Sequence, residues 1–166
     1  MIEVDITQDM IDRAEKRAKS MGAIKNSLTK GDGNLSGFIG EEMVLKTFPS
    51  CEMKSSKDFD IIYTDLGGDE LNIEVKTKRR TVEPKSYYTC HISKTSAHQD
   101  PDVYVFCQVN INEVPIKGWV LGWLPKDLFY KKAEFRKKGQ LDDRGFKEKV
   151  DCFVCKISDL YEIDLF

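Results

Sequence analysis

The sequence predicts an α/β fold in which a mixed β-sheet is flanked by helices. Two stretches with helical spacing come first. From about residue 58 the texture changes to short runs that read as strands. Residues 102–109 are then nearly all apolar, as a central strand buried on both faces would be. A chain of 166 residues fits one domain and can bury a real core.

Each element has its own signal. Thr7 can cap a helix that runs to about Met21, with Gly22 as its stop and Met10, Ile11, Ala14 and Ala18 near helical spacing. Gly22 to Gly33 reads as a flexible stretch, so residues 1–33 form an N-terminal helix and linker. Asn34 can cap a second helix through Phe48, ended by Pro49. Asp58–Thr64 and Leu71–Thr77 read as strands around Asp65–Asp69, a hairpin signal. Tyr87–Ile92 is a strand with a weaker pattern, and residues 34–110 make the core of the domain. In residues 111–166, Gly118–Leu124 and Cys152–Ile157 read as strands. Pro125–Lys138 reads as one basic helix or two short ones, and Ser158 caps a short terminal turn.

Composition narrows the class. Hydrophobic residues are 40% and charged residues 33%, ordinary for a soluble globular protein. The net charge of −2 supplies no global positive field, so a nucleic-acid partner must be held by local basic patches. No apolar run approaches the ~20 residues that span a bilayer. The N-terminus is charged rather than signal-like, which predicts an intracellular, cytoplasmic protein without a membrane partner. The five cysteines are an odd number without framework spacing, so reduced thiols are expected.

The hairpin carries the chemistry. Strand side chains alternate between faces. If Phe59, Ile61 and Tyr63 share a core with Leu71, Ile73, Val75 and Thr77, then Asp58 and Asp60 share the opposite face with Asn72, Glu74 and Lys76. Paired residues must then have numbers of even sum. A five-residue loop pairs Tyr63 with Leu71, Ile61 with Ile73 and Asp60 with Glu74; the next allowed register pairs Asp60 with Lys76. In the first register two carboxylates lie roughly 5 Å apart. They repel unless a cation sits between them, and hard Mg²⁺ takes such oxygens. Lys76, on the same face, can orient an attacking water or neutralise transition-state charge.

Glu-x-Lys alone is a cheap pattern, repeated at Glu52–Lys54 and Glu83–Lys85, and an alternating charged strand face is usually a solvated one. The helix before the hairpin adds weight. It reads Gly37-Phe38-Ile39-Gly40-Glu41-Glu42, with both glutamates bordering an apolar surface. Angular position does not separate Glu41 from Glu42. Gly37, one turn before Glu41, would let a strand approach closely. An acid on a buried face is costly unless paired or metal-bound.

The series Gly-x-x-Gly-Glu on a helix, Phe-Asp-Ile-Ile on a strand and Ile-Glu-Val-Lys-Thr on the next resembles the PD-(D/E)xK nuclease superfamily, also called restriction-endonuclease-like. The matching stretch is residues 37–77; Phe59-Asp60 stands where the family has Pro-Asp. The resemblance implies a restriction-endonuclease-like core and a catalytic set of Glu41, Asp60, Glu74 and Lys76. It implies metal ligands Asp60, Glu74 and the Val75 carbonyl, with Glu41 at a second metal or a bound water. The activity implied is that of a DNA endonuclease using Mg²⁺, with Mn²⁺ as a substitute. A homodimer is among the partners it implies. The alternative is a DNA-binding module or complex subunit on the same fold without its own catalysis.

A basic run of Lys78, Arg79, Arg80 and Lys85 follows the site and would grip a DNA backbone. The run from Lys126 to Lys138 is at least as well read as a solvated helix face. His91 could touch a phosphate. Cys152-x-x-Cys155 has the spacing of half a metal site without a second pair, so core packing is expected of it. No Walker loop and no Gly-x-Ser-x-Gly is present, so neither an NTPase nor an α/β-hydrolase is signalled.

Overall fold

In a computed structural model, residues 1–21, 32–54, 56–142 and 145–163 are described. They form a mixed α/β fold. The strands are β1 (Ile2–Asp5), β2 (Cys51–Met53), β3 (Ile61–Thr64), β4 (Glu70–Arg79), β5 (Thr89–Ser93), β6 (Val103–Asn110), β7 (Lys117–Pro125), β8 (Glu134–Arg136) and β9 (Cys152–Lys156). The helices are α1 (Gln8–Met21), α2 (Asp32–Thr47) and α3 (Lys126–Lys132). A six-stranded sheet has the order β1-β7-β6-β4-β3-β2, with β4 and β6 parallel and the other pairs antiparallel. A second, antiparallel sheet has the order β5-β9-β8.

The central strand β6 is buried at every residue. Its two faces serve two cores. Val103, Val105, Cys107 and Val109 pack with Ile73 and Val75 of β4 against Met10 and Ala14 of α1 and Phe38, Ile39, Met43 and Val44 of α2. Tyr104 and Phe106 face the other way, toward Phe129 of α3 and Cys90, Ile92 and Cys155 of the small sheet. Period-2 alternation thus sends the odd residues of β4 to the helices and the even ones, Glu74, Lys76 and Lys78, toward the second sheet.

Most expected elements appear, with shifted ends. Thr7 does cap α1, its Oγ1 accepting from Met10 N at 3.4 Å. Gly22, and the expected flexible stretch up to residue 31, lie outside the described residues. The second helix begins at Asp32, two residues before the expected cap Asn34. The hairpin register is the even-sum one, with Tyr63 opposite Leu71 and Ile61 opposite Ile73, and this excludes pairing Asp60 with Lys76. Asp65 Oδ1 holds the loop by accepting from Gly67 N and Asp69 N, and Gly68 takes a positive φ of 87°.

Three expectations are corrected. The first hairpin strand does not start at Asp58. Ser56 Oγ accepts from the backbone of both Asp58 and Phe59 at 3.0 Å and bends the chain there, a local competition typical of serine. Pro125–Lys138 is one short helix followed by β8, because Phe135 faces Phe153 across the β8–β9 ladder and the segment pairs as an edge strand. Ser158 lies inside a 3-10 turn rather than capping it; Asp159 Oδ2 instead accepts from Lys156 N. The edge strands β1 and β2 were not anticipated, being short and only partly buried.

Candidate active site

The β3–β4 ladder opens at its Ile61–Ile73 end, and Asp60 sits in the opening. Its N–H still donates to Ile73 O at 2.9 Å. Its carboxylate Oδ2 accepts from Val75 N at 3.0 Å, a bond that a continued ladder would have given to backbone. A strand residue points its N–H and C=O to the same side, so the Val75 carbonyl also faces Asp60.

Glu74 comes from the buried middle of β4 and is 5% exposed. Its Oε1 accepts from Lys76 Nζ at 2.6 Å and from Gln99 Nε2 at 3.0 Å, while Oε2 is buried with no hydrogen-bond partner. Glu41 comes from α2 and is 6% exposed. Arg17 Nη2 of α1 lies 2.6 Å from Glu41 Oε2, an ion pair whose angles fall short of a hydrogen bond. The Arg17 guanidinium stacks on Phe38 at 4.2 Å.

The three acids feel one another. Burial, and then the Asp60 charge, push both Glu41 and Glu74 up to about 7. Burial likewise raises Asp60, against the lowering effect of the Val75 N–H and Lys76. Close carboxylates in a dry place are costly to ionise, and a cation between them removes the cost. The buried Oε2 of Glu74, without a hydrogen-bond partner, and that of Glu41, held only by the Arg17 ion pair, fit a cation with oxygen ligands. The three acids do not form a ligand trio within 4.8 Å, and Arg17 and Lys76 each hold an oxygen of one of them.

Helix geometry separates the two glutamates. Glu42 turns to α1, where Arg13 Nε and Nη2 donate to its Oε2 at 2.9 and 2.6 Å. Glu41, one residue back, faces Asp60 and Glu74. The close approach of α2 to the sheet occurs at Gly40 and not at Gly37. A Cβ at Gly40 would meet Thr77 Oγ1 of β4 at 1.8 Å, whereas one at Gly37 meets nothing within 4 Å.

Gln99 and Arg17 carry no sequence signal of a site. Gln99 sits in a loop between β5 and β6, and its Oε1 accepts from Lys76 Nζ at 2.8 Å, so it binds both members of the Glu-x-Lys pair. Arg17 is one of several bases on α1, and only packing brings it to Glu41.

The basic run is split by strand alternation. Lys78 points between the sheets, with Nζ 2.7 Å from His91 Nδ1; burial, then Arg80, push it down to about 8. Arg79 turns to the other side, exposed, and donates to Asn112 Oδ1 at 3.0 Å. Arg80 lies over the Tyr88 ring at 4.8 Å, and Lys85 is exposed near Tyr87. In the second run, Lys126 pairs with Asp100, and Arg136 with Glu134 and Glu148.

A second buried polar group lies nearby. His91 Nε2 is 3.2 Å from Glu148 Oε1, and these atoms lie with Cys152 Sγ within 4.8 Å of one another. By distance this trio could hold a metal. Burial, then the charge of Lys78, push His91 down to about 4. The five cysteines are free and buried. No helix among the described residues is long and apolar enough to cross a membrane. No family model matches the chain, and no curated protein matches it.

Proposed function

We propose that this protein is a divalent-metal-dependent nuclease acting on DNA, on a restriction-endonuclease-like core of the PD-(D/E)xK type. One observation carries the reading. Glu41 from a helix, Asp60 from a ladder end and Glu74 from a buried strand converge, with two buried carboxylate oxygens that no hydrogen bond satisfies. Asp60, Glu74 and the Val75 carbonyl would hold Mg²⁺ or Mn²⁺, with Glu41 beside them. When bound, the ion would polarise a phosphoryl oxygen and acidify a water.

The remaining roles belong to the chain. Lys76 is long enough to leave Glu74 and orient the attacking water or meet charge on the phosphorane-like transition state. Gln99 accepts from Lys76 and donates to Glu74, holding the pair together when the site is at rest. Burial of the acids excludes bulk water, so the charges that assemble there act at full strength.

The test is cleavage of plasmid, linear and branched DNA with Mg²⁺, with Mn²⁺ and with chelator. Asp60→Asn and Glu74→Gln are expected to lower the rate about 100-fold or more. Both should abolish thermal stabilisation by added Mg²⁺ while the protein stays folded. Lys76→Ala should keep that stabilisation and lose the rate. Cleavage that survives in chelator, or in Asp60→Asn, would replace this reading with a DNA-binding module without its own catalysis.

A further inference from the structure

We infer that the cleft between β4 and the small sheet seats an unpaired DNA strand and leads it to Lys76. The inference rests on the nuclease reading, which supplies the class of polymer; the cleft supplies its form.

The floor of the cleft is the even-numbered face of β4. Lys76 and Lys78, with Arg80 just past the end of β4, recur at alternate residues, roughly 6.8 Å apart at ~3.4 Å per residue. That period is comparable to the step between phosphates along an extended strand. The inner part is a cavity of about 180 Å³ lined by Lys76, Lys78, Arg80 and His91. It shares Lys78, Arg80, Thr89 and His91 with an outer part of about 540 Å³, which opens between Phe146 and Lys149. The two parts adjoin at these residues, and the inner one reaches Lys76.

Its chemistry is that of a single-strand channel. Cations on the floor and rim outnumber the one lining acid, Asp142. Phe146 is 47% exposed at the mouth, with Lys78 Nζ 5.7 Å from its ring centre. An exposed ring beside a phosphate-binding cation is what a stacked base needs, and stacking tolerates any sequence. Lys78 Nζ gives one donor to His91 and retains others for a phosphate. A concavity of this size lies in the ~300–1,000 Å³ range that encloses one small organic ligand. It admits a nucleotide and excludes a double helix.

The experiment measures binding in chelator, so that catalysis plays no part. The probes are a short fluorescent DNA strand, its blunt duplex, and the duplex with a single-stranded tail. The strand and the tailed duplex should bind at least about tenfold tighter than the blunt duplex. Phe146→Ala and Lys149→Ala, both at exposed positions, should each weaken strand binding by about fivefold or more, with the melting temperature unchanged. Lys149→Ala should also flatten the salt dependence. Equal binding of the blunt duplex, or wild-type strand binding by both variants, overturns the inference. The two readings fail separately. Tight strand binding with no hydrolysis in Mg²⁺ sinks only the nuclease. Metal-dependent cutting of closed duplex circles that both variants perform normally sinks only the cleft.

Discussion

Two buried polar clusters flank β4, and they differ in charge rather than in burial. At Glu41, Asp60 and Glu74, three carboxylates face two cations, Arg17 and Lys76, and two carboxylate oxygens have no hydrogen-bond partner. At His91, Glu148 and Cys152, one carboxylate faces Arg136 and a histidine whose other nitrogen meets Lys78. Spacing alone favours the second cluster as a metal site, since its ligand atoms are closer together. Charge favours the first. In the second, Arg136 already balances the lone carboxylate Glu148; in the first, three carboxylates outnumber Arg17 and Lys76, so a cation entering there relieves repulsion. Proximity of donors is therefore a weaker guide to a metal than uncompensated charge.

The sharpest break of this comparison is removal of one acid from each cluster. Glu148→Ala should destabilise the protein by about 1–3 kcal/mol, because it strips His91 of its buried partner and leaves Arg136 with the exposed Glu134 alone. Glu74→Gln should leave metal-free stability equal or slightly higher, because it removes repulsion. Denaturant melts of the two variants check this; equal losses would erase the distinction.

Proton linkage separates the clusters next. Glu41 and Glu74 are held at about 7, above their ordinary 4.5. The folded protein then keeps protons that the unfolded chain has released. The stabilisation from these acids is full below pH 4.5 and is lost as pH rises through 7. Without metal, stability should fall over that window by on the order of 1–3 kcal/mol. Added Mg²⁺ should stabilise more at pH 8 than at pH 5, since it competes with those protons. His91, pushed down to about 4, acts oppositely: its share is lost as pH falls from 6.5 through 4. Urea titrations across pH, with wild type and a Glu41→Gln/Glu74→Gln double variant, read both slopes. A wild-type slope that survives in the double variant assigns it elsewhere.

Gly40→Ala probes how the first cluster is assembled. Its Cβ collides with Thr77, so α2 must lift from the sheet and carry Glu41 away. A loss of about 1–3 kcal/mol is expected, with a loss of Mg²⁺ response, whereas Gly37→Ala should be close to neutral. The smallest effect concerns the basic run. Arg80→Ala should reduce the salt slope of DNA binding by about one, and Arg79→Ala by less, since Arg79 borders only the outer part of the cleft and donates to Asn112. Equal slopes for the two variants would place the backbone along both faces of β4.

What the sequence by itself determined was local and periodic. Alternation in Phe59–Tyr63 and Leu71–Thr77 was enough to restrict the hairpin to even-sum registers, and the structure chose between Glu74 and Lys76 as the neighbour of Asp60. The apolar run at 102–109 was enough to place a strand between two cores. Both follow from interactions among residues close in sequence or paired across one turn. Only the tertiary structure decided between Glu41 and Glu42, because the rotation of α2 is set where Gly40 meets Thr77 and Arg13 holds Glu42 against α1. It alone brought Gln99 to the Glu74–Lys76 pair and Arg17 to Glu41, and split the basic run between two faces. These are contacts between elements far apart in the chain, fixed by how helices and the second sheet pack on β4 and β6. No short-range pattern of side chains encodes that packing.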